Sequence, residues 1–400
     1  MRPEHQQVLR DIFAKQNIVL LDHSAGEGCK PGDNYIGDIV RVTARIQGPN
    51  GPLQKNFIFK YPPGNKEFRD ALKCYKFVKN EEAFYSLVVP SMNSFWQDAA
   101  KNKNNQLPTA QYYYSCSDDK NDVLVLEDLR ERGFTMADRM NGLDFDHCLL
   151  VMQAFGKFHG TSMAMQEIQP ENFHHTSHCI KETLYFDAGR EQFSTIHFPC
   201  NAAIRMMESR YPERVDQVEK LKKLTNNYFD NLIEMVETPS PLAVINHGDS
   251  WVNNILFRYQ NGKPVDLRFI DFQLARFGSL ALDLSYLLYN SCTKSILDAH
   301  WDTFMNTYMV ELNLTLESMG ATKSKIIRHQ LDEEMKRFGR FGIAGALQAI
   351  PFFVTPIEDQ PKMEGGLEVF DNFHNNSHKN LVIRDRLTDM IVHAIEKGIL

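Results

Sequence analysis

The chain is short of the features that build stapled, metal-bound or membrane-embedded proteins. Its seven cysteines include no Cys-x-x-Cys pair, so neither a zinc site nor a disulfide framework is predicted, and reduced thiols in a cytoplasmic protein are the expectation. No apolar run approaches the roughly 18 residues that a membrane helix needs. The charged start from Met1 to Phe13 also lacks the apolar stretch of a secretory leader. Basic residues are in deficit, 44 Lys and Arg against 51 Asp and Glu for a net charge of -7, and the lysines are scattered, which argues against nucleic acid as a partner. Repeats and low-complexity segments are missing too. What remains is a chain of 400 residues with 43% hydrophobic content, more than one typical core holds, so two domains or lobes are expected.

The first third reads as a sheet with helices attached. Pro3 to Lys15 can form a short helix, and Asn17 to Leu21 and Ile36 to Ile46 read as strands. Gln54 to Lys60 is a third strand, closed by Pro62-Pro63-Gly64, and a helix is predicted from about Lys66 to Val88. Leu107 to Ser115 and Asp122 to Leu126 supply two more strands. Beyond them the apolar residues recur at helical spacing, as at Leu150, Ala154 and Phe158, or at Trp301, Phe304, Met305, Tyr308 and Leu312, which is the pattern of core-facing helices. His159, on the first of these rows, reads as a hydrogen-bonded core histidine. His174, His175, His178 and His197 match no zinc spacing and read as loop or pocket lining.

Two acidic motifs carry the chemistry, His-Gly-Asp-Ser-Trp-Val-Asn-Asn at 247–254 and Phe-Ile-Asp-Phe at 269–272. Asp249 precedes Asn254 by five residues, the spacing with which a kinase catalytic loop places a base for the acceptor hydroxyl and an amide for magnesium. Ile255 to Phe257 and Leu267 to Ile270 read as strands around the turn residues Asn261-Gly262-Lys263-Pro264, so Asp271 emerges at a strand end near Asn254. Amide and carboxylate oxygens beside a candidate base suit a hard dication. Each residue alone is ordinary turn chemistry; their order and spacing are what point to phosphoryl transfer. Lys60, at the end of the third strand, can reach phosphates and be oriented by Glu81 or Glu82 on the following helix. The turn Gly32-Asp33-Asn34-Tyr35-Ile36-Gly37 is either an ordinary hairpin or a backbone cradle for phosphate, with Asn34 at its centre. Asp283 is expected to cap its helix or to brace the catalytic loop.

Taken together, Gly-Asp-Asn-Tyr at 32–35, Asn80-Glu81-Glu82-Ala83-Phe84-Tyr85, Leu126-Glu127-Asp128-Leu129, His247 to Asn254 and Phe269-Ile270-Asp271-Phe272-Gln273 resemble the ecdysteroid kinase-like family, itself similar to choline kinases and aminoglycoside phosphotransferases. The resemblance implies an α+β, two-lobed protein-kinase-like fold, with an antiparallel-sheet nucleotide-binding lobe over 1–127 and a mostly helical lobe over 128–400 carrying the catalytic loop and acceptor site. It implies ATP and Mg2+ as cosubstrates, Asp249 as the base, Asn254 and Asp271 on the metal, Lys60 held by Glu81 on the phosphates, and Glu127 to Leu129 as the hinge beside the adenine.

Two departures from protein kinases bear on the acceptor. Gly248 replaces an Arg that in many of them meets a phosphorylated activation loop, and Leu274 to Leu280 is too short to bind a peptide. A small hydroxylated molecule is therefore the expected acceptor, an ecdysteroid or similar lipophilic alcohol by family resemblance. A catalytically silent ligand-binding relative and a choline- or aminoglycoside-type kinase are the alternatives. Phe338, Phe341, Phe352 and Phe353, beside Gly342 and Gly345, are candidates either for an apolar acceptor pocket or for core. The tryptophans at 96, 251 and 301 are too dispersed to suggest a cage for a cation.

Overall fold

The computed structural model describes residues 6–14, 18–29, 37–48, 51–71, 73–118, 122–186, 200–361 and 366–400; Asn34 and most of its glycine-containing turn lie outside them. The architecture is two-lobed. Five strands, β1 (Val19–Glu27), β2 (Asp38–Gly48), β3 (Gly51–Tyr61), β4 (Tyr112–Cys116) and β5 (Val123–Glu127), form a sheet in the order β1-β2-β3-β5-β4, every neighbouring pair antiparallel.

Alternation along the strands decides what each face meets. Val42, Ala44 and Ile46 of β2 and Phe57, Phe59 and Tyr61 of β3 pack with Val123 and Val125 against Val8, Leu9, Ile12 and Phe13 of the helix Gln6–Ala14. Leu124 and Leu126 point to the opposite face and join the main core. The unbroken apolar run of β5 is thus explained by burial on both faces. Lys60 alternates with Phe59, so its side chain leaves the small core and faces the interlobe cleft.

The long helix expected over 66–88 is interrupted. Lys73 adopts a left-handed φ of 50°, and the pieces are Lys66–Ala71, Cys74–Ala83, a π-helical turn Phe84–Val88 and a further helix Val89–Ala99. The widened turn precedes Pro90, which has no N–H to give to a regular ladder. It places Phe84 in stacking contact with Phe272, ring centroids 3.8 Å apart, while Tyr85 meets the same ring edge-on at 5.5 Å. The strand expected from Leu107 begins only at Tyr112; ahead of it Phe269 donates its N–H to the Pro108 carbonyl at 2.7 Å, tying this connection to the helical lobe.

The helical lobe carries two small sheets, β6 (Phe134–Met136) with β8 (Ile255–Gln260) and β9 (Lys263–Phe269), and β7 (Ala243–Asn246) with β10 (Arg276–Ser279). The helix Phe145–Ile168 lies against Lys294–Met319 so closely that a Cβ on Gly156 would stand 2.7 Å from Glu311 and 2.9 Å from the Leu312 backbone. At the centre is the helix Leu280–Ser291, in which every residue except Tyr286 is buried. No helix among the described residues is long and apolar enough to cross a membrane.

Candidate active site

The hairpin read from the sequence forms: β8 and β9 pair from Ile255↔Phe269 outward. Its two ends bring the acidic motifs together, because the Ile270 N–H bonds the Asn254 carbonyl at 3.0 Å. Asn254 Nδ2 donates to the Asp249 backbone carbonyl at 2.9 Å and to Asp249 Oδ2 at 3.0 Å. With its nitrogen so committed, the amide presents its oxygen elsewhere. Asp249 Oδ1 accepts from the Tyr286 hydroxyl at 2.9 Å. Asp271 follows β9 in a left-handed conformation, φ 66°, a costly geometry for a non-glycine residue that functional loops often hold.

A second aspartate shapes the loop from behind. The wholly buried Asp283 accepts the His247 N–H at 2.6 Å and the Gly248 N–H at 2.9 Å, and its Oδ2 lies 3.2 Å from His159 Nε2. Of the two roles expected for it, the brace is the one realised: the cap of its helix is Ser279. His159 is the hydrogen-bonded core histidine expected, with Tyr308 on its other nitrogen at 2.8 Å. His247 is held as one neutral tautomer, Nδ1 accepting from the Asp249 N–H at 3.2 Å and Nε2 donating to the Ile270 carbonyl at 3.0 Å, in keeping with burial that lowers its pKa. Gly248 has a φ of +86°, and a Cβ there would lie 1.9 Å from the Leu274 carbonyl oxygen. The arginine of many protein kinases would not fit this loop. Trp251 anchors the loop from its other end, stacked on Phe353 with centroids 3.8 Å apart.

From the sheet side, Lys60 Nζ lies 2.7 Å from Glu81 Oε2 and 2.7 Å from Asp271 Oδ1. Glu82 points away, accepting from Ser115 at 2.7 Å and also from Ser117, so Glu81 is the partner. The contact between Lys60 and Asp271 was not anticipated in the sequence. Burial works against the charge of Lys60, but Asp271 and Glu81 overcome it and raise its pKa. Burial drives Asp249 the other way for an acid: its pKa rises to about 7, assisted by the neighbouring negative charge of Asp271 and opposed by Tyr286, Asn254 and Lys60. Burial also pushes Glu81 upward against the pull of Lys60, with Asp271 adding to the rise. Glu81 and Asp271 thus share one lysine, and the charge of Asp271 also acts on Asp249. That excess of negative charge, with an amide oxygen and a carboxylate at its rim, fits a hard dication, which takes few protein ligands when phosphates supply the rest. No group of three or more His, Cys, Asp or Glu suited to a metal is present among the described residues, so a cage built from protein side chains alone is not what these residues offer.

Glu127 and Leu129 sit where β5 leaves the sheet. The Glu127 N–H donates to the Gln111 carbonyl at 2.9 Å and its carboxylate turns to Arg132 at 3.1 Å; Leu129 is buried and opens a 3-10 turn capped by Asp128. Asp128 is also 2.6 Å from Arg41 on β2, which fixes the exit to the sheet. A cavity of about 890 Å3 lies at this exit, lined by Trp96, Leu107, Tyr112, Glu127, Leu150 and Arg268 among others, but none of Lys60, Asp249, Asn254 or Asp271 reaches it. Of the aromatic pocket candidates, Phe338, Phe341 and Phe353 are buried core, and Phe352 packs on Phe373 at 4.9 Å. Only Phe341 has its ring within 6.2 Å of the Tyr286 ring. Tyr286 itself escaped the sequence reading, although its place three residues after Asp283 puts both on neighbouring turns of one helix. The histidines at 174, 175 and 178 belong to the helix Pro170–Ser177 and its end, and His178 lines a cavity of about 200 Å3 together with Glu182 and Arg276; His197 lies outside the described residues.

The profile of the ecdysteroid kinase-like family matches residues 31–321. Solved structures similar to the chain include the Plasmodium vivax ethanolamine kinase, at 11% identity over 90% of this chain and 81% of that one with a TM-score of 0.39. Another is the GDP complex of aminoglycoside 2'-phosphotransferase-IIIa, at 11% identity over 94% and 99% with a TM-score of 0.39. A third is a choline/ethanolamine kinase family protein from Mesorhizobium loti, at 11% identity over 88% and 90% with a TM-score of 0.35. No curated protein sequence matches the chain.

Proposed function

From the premise that this chain belongs to the ecdysteroid kinase-like family, we propose that it transfers the γ-phosphoryl group of ATP to a hydroxyl of a small molecule, an ecdysteroid or similar lipophilic alcohol. Family and architecture together support a small-molecule phosphotransferase of the kinase-like type. The observation that carries the finer reading is the convergence of Lys60, Glu81 and Asp271 within 2.7 Å contacts on the same loop cluster that holds Asp249 against Asn254 at 3.0 Å.

In this reading the lobes divide at 127/128, and the exit of β5 over Glu127 to Leu129 receives the adenine edge. Lys60, oriented by Glu81, contacts the phosphates. Asn254 and Asp271 would hold magnesium, whose chemistry is to neutralise the charge on the transferring phosphate. Asp249 receives the hydroxyl proton as the acceptor oxygen forms its bond to the γ-phosphorus and the bond to ADP breaks. A pKa near 7 suits a general base that must be ionised at neutral pH and still bind a proton. The two hydrogen bonds to Asp249 keep one oxygen on Tyr286 and the other on Asn254, which orients the carboxylate before the acceptor arrives.

The test is direct. ATP should raise the melting temperature of the protein only when magnesium is present, and labelled ATP should yield a phosphorylated product from a panel of hydroxylated acceptors. Absence of both effects in folded protein would sink the enzyme reading in favour of a silent ligand-binding relative.

A further inference from the structure

Arg276 opens β10, five residues beyond Asp271, and is 2% exposed. Its Nε lies 2.5 Å from Glu182 Oε2. That carboxylate is itself fixed, its other oxygen accepting the N–H groups of Leu184 at 2.7 Å and Tyr185 at 2.8 Å. The two terminal nitrogens of Arg276, Nη1 and Nη2, are buried without a hydrogen-bond partner. The guanidinium carbon stands 5.5 Å from the Phe341 ring and 5.9 Å from the Tyr185 ring. These rings continue to the base: Tyr185 meets Phe341 edge-on at 5.6 Å, Phe341 lies 6.2 Å from Tyr286, and the Tyr286 hydroxyl bonds Asp249.

Orphaned donors of a buried charge are expensive, and an unpartnered fork at the far end of the ring series that reaches Asp249 points to a ligand that closes it. Glu182 meets Arg276 through Nε alone, so what the terminal nitrogens lack is hydrogen-bond acceptors, which a neutral oxygen supplies. A cationic acceptor meets the opposite situation. Rings that could cage a quaternary ammonium here face the protein's own guanidinium, and a second cation beside it would be repelled.

We propose that Arg276 is the acceptor-recognition residue of this site, its two free nitrogens donating to a carbonyl or hydroxyl oxygen of a neutral alcohol and its charge excluding cationic alcohols. The inference rests on the phosphotransferase reading above. It is tested on the full chain with two probes, ecdysone as a neutral polyhydroxylated ketone and choline as a cationic alcohol, using wild-type protein, Arg276→Gln and Arg276→Lys. Wild type should phosphorylate ecdysone and leave choline unused. Both variants should raise the KM for ecdysone roughly 10- to 100-fold, as loss of a charged hydrogen bond predicts, with the KM for ATP and magnesium unchanged. Equal use of choline, an ecdysone KM that does not move in either variant, or a wild-type enzyme that takes neither probe overturns the assignment. Should neither variant fold, the wild-type contrast between ecdysone and choline decides. Magnesium-dependent stabilisation by ATP, measured on the same samples, separates the failures. Its absence in wild type removes the phosphotransferase reading, whereas its presence beside an unmoved acceptor KM removes only the role of Arg276.

Discussion

Asp249 and Asp283 are aspartates on the two sides of one loop, and their surroundings push them in opposite directions. Asp283 is wholly buried, yet two backbone N–H groups and His159 converge on it. Burial opposes its charge, but the bond and charge of His159 and the Gly248 N–H outweigh it and hold its carboxyl below the usual range. Burial works against the charge of Asp249 as well, but it has only two side-chain donors and shares its cleft with Asp271, so its pKa rises to about 7. The contrast separates a brace from a proposed base. A fully satisfied carboxylate is inert and holds backbone in place; a carboxylate left short of partners retains an appetite for a proton.

The sharpest way to break the comparison is Asp249→Asn. The swap should lower kcat about 100- to 10,000-fold and leave the fold intact; wild-type turnover in the purified variant would refute the assignment. Its stability should change with pH in a defined sense. A folded-state pKa of about 7 lies above the unfolded value of about 3.9, so the contribution of Asp249 to stability is present below pH of about 4 and lost as pH rises through about 7. Without nucleotide, Asp249→Asn should therefore melt above wild type at pH 8 and lose that advantage at pH 4.

Asp283→Asn should do the reverse. An amide cannot accept from both N–H groups and also face His159, so the variant should lose about 3–5 kcal/mol of stability, as expected when a buried charged network is broken. Because the folded pKa of Asp283 is depressed, its contribution exists above the ordinary carboxylate value and fades as pH falls, so the stability gap between wild type and variant should close in acid. Urea unfolding at pH 7 and at a pH well below the ordinary carboxylate value of about 3.9 reads both effects; a gap that persists unchanged in that acid range would mean that Asp283 does not hold the loop through its charge.

The base side of this comparison was more legible in the sequence than the brace side. Asp249, Asn254 and Asp271 stand in local motifs whose spacing and intervening hairpin dictate their meeting, and Lys60 sits at the end of a strand whose alternation turns it to the cleft. Tyr286 and Arg276 gave little signal, because each lies inside an apolar stretch where one polar residue reads as incidental; their meaning comes from tertiary neighbours far away in sequence. The break at Lys73 and the π turn at Phe84–Val88 were equally hidden, since helical periodicity continues through both. Gly248 shows the converse: its departure from the protein-kinase pattern was visible, but the reason, a carbonyl where a Cβ would stand, exists only in the folded loop.

Smaller in expected size than either aspartate effect is the coupling of the ion pair at the sheet side. If Lys60 is oriented by Glu81, the effects of Lys60→Met and Glu81→Gln on kcat should be non-additive, with a coupling of about 0.5–3 kcal/mol, and Glu82→Gln should couple to neither because it faces Ser115 and Ser117. Additive losses in the double variant would mean that the 2.7 Å contact has no part in turnover.

The smallest effect is the most specific. Tyr286→Phe removes one of the two side-chain hydrogen bonds to Asp249, the one to Oδ1 at 2.9 Å, and spares the fold, because the ring and its contact with Phe341 remain. That bond favours the ionised carboxylate and so lowers the Asp249 pKa; without it the pKa should climb further. The kcat of wild type should rise with pH as Asp249 loses its proton. In Tyr286→Phe the same limb should move upward by about 0.5–1 pH unit, while kcat on the high-pH plateau stays within a few-fold and the KM for nucleotide is unchanged. A pH profile that keeps its midpoint in Tyr286→Phe would assign the limb to another group, with Glu81 first in line because burial raises its pKa as well, and the contrast between base and brace would then have to be drawn between Glu81 and Asp283.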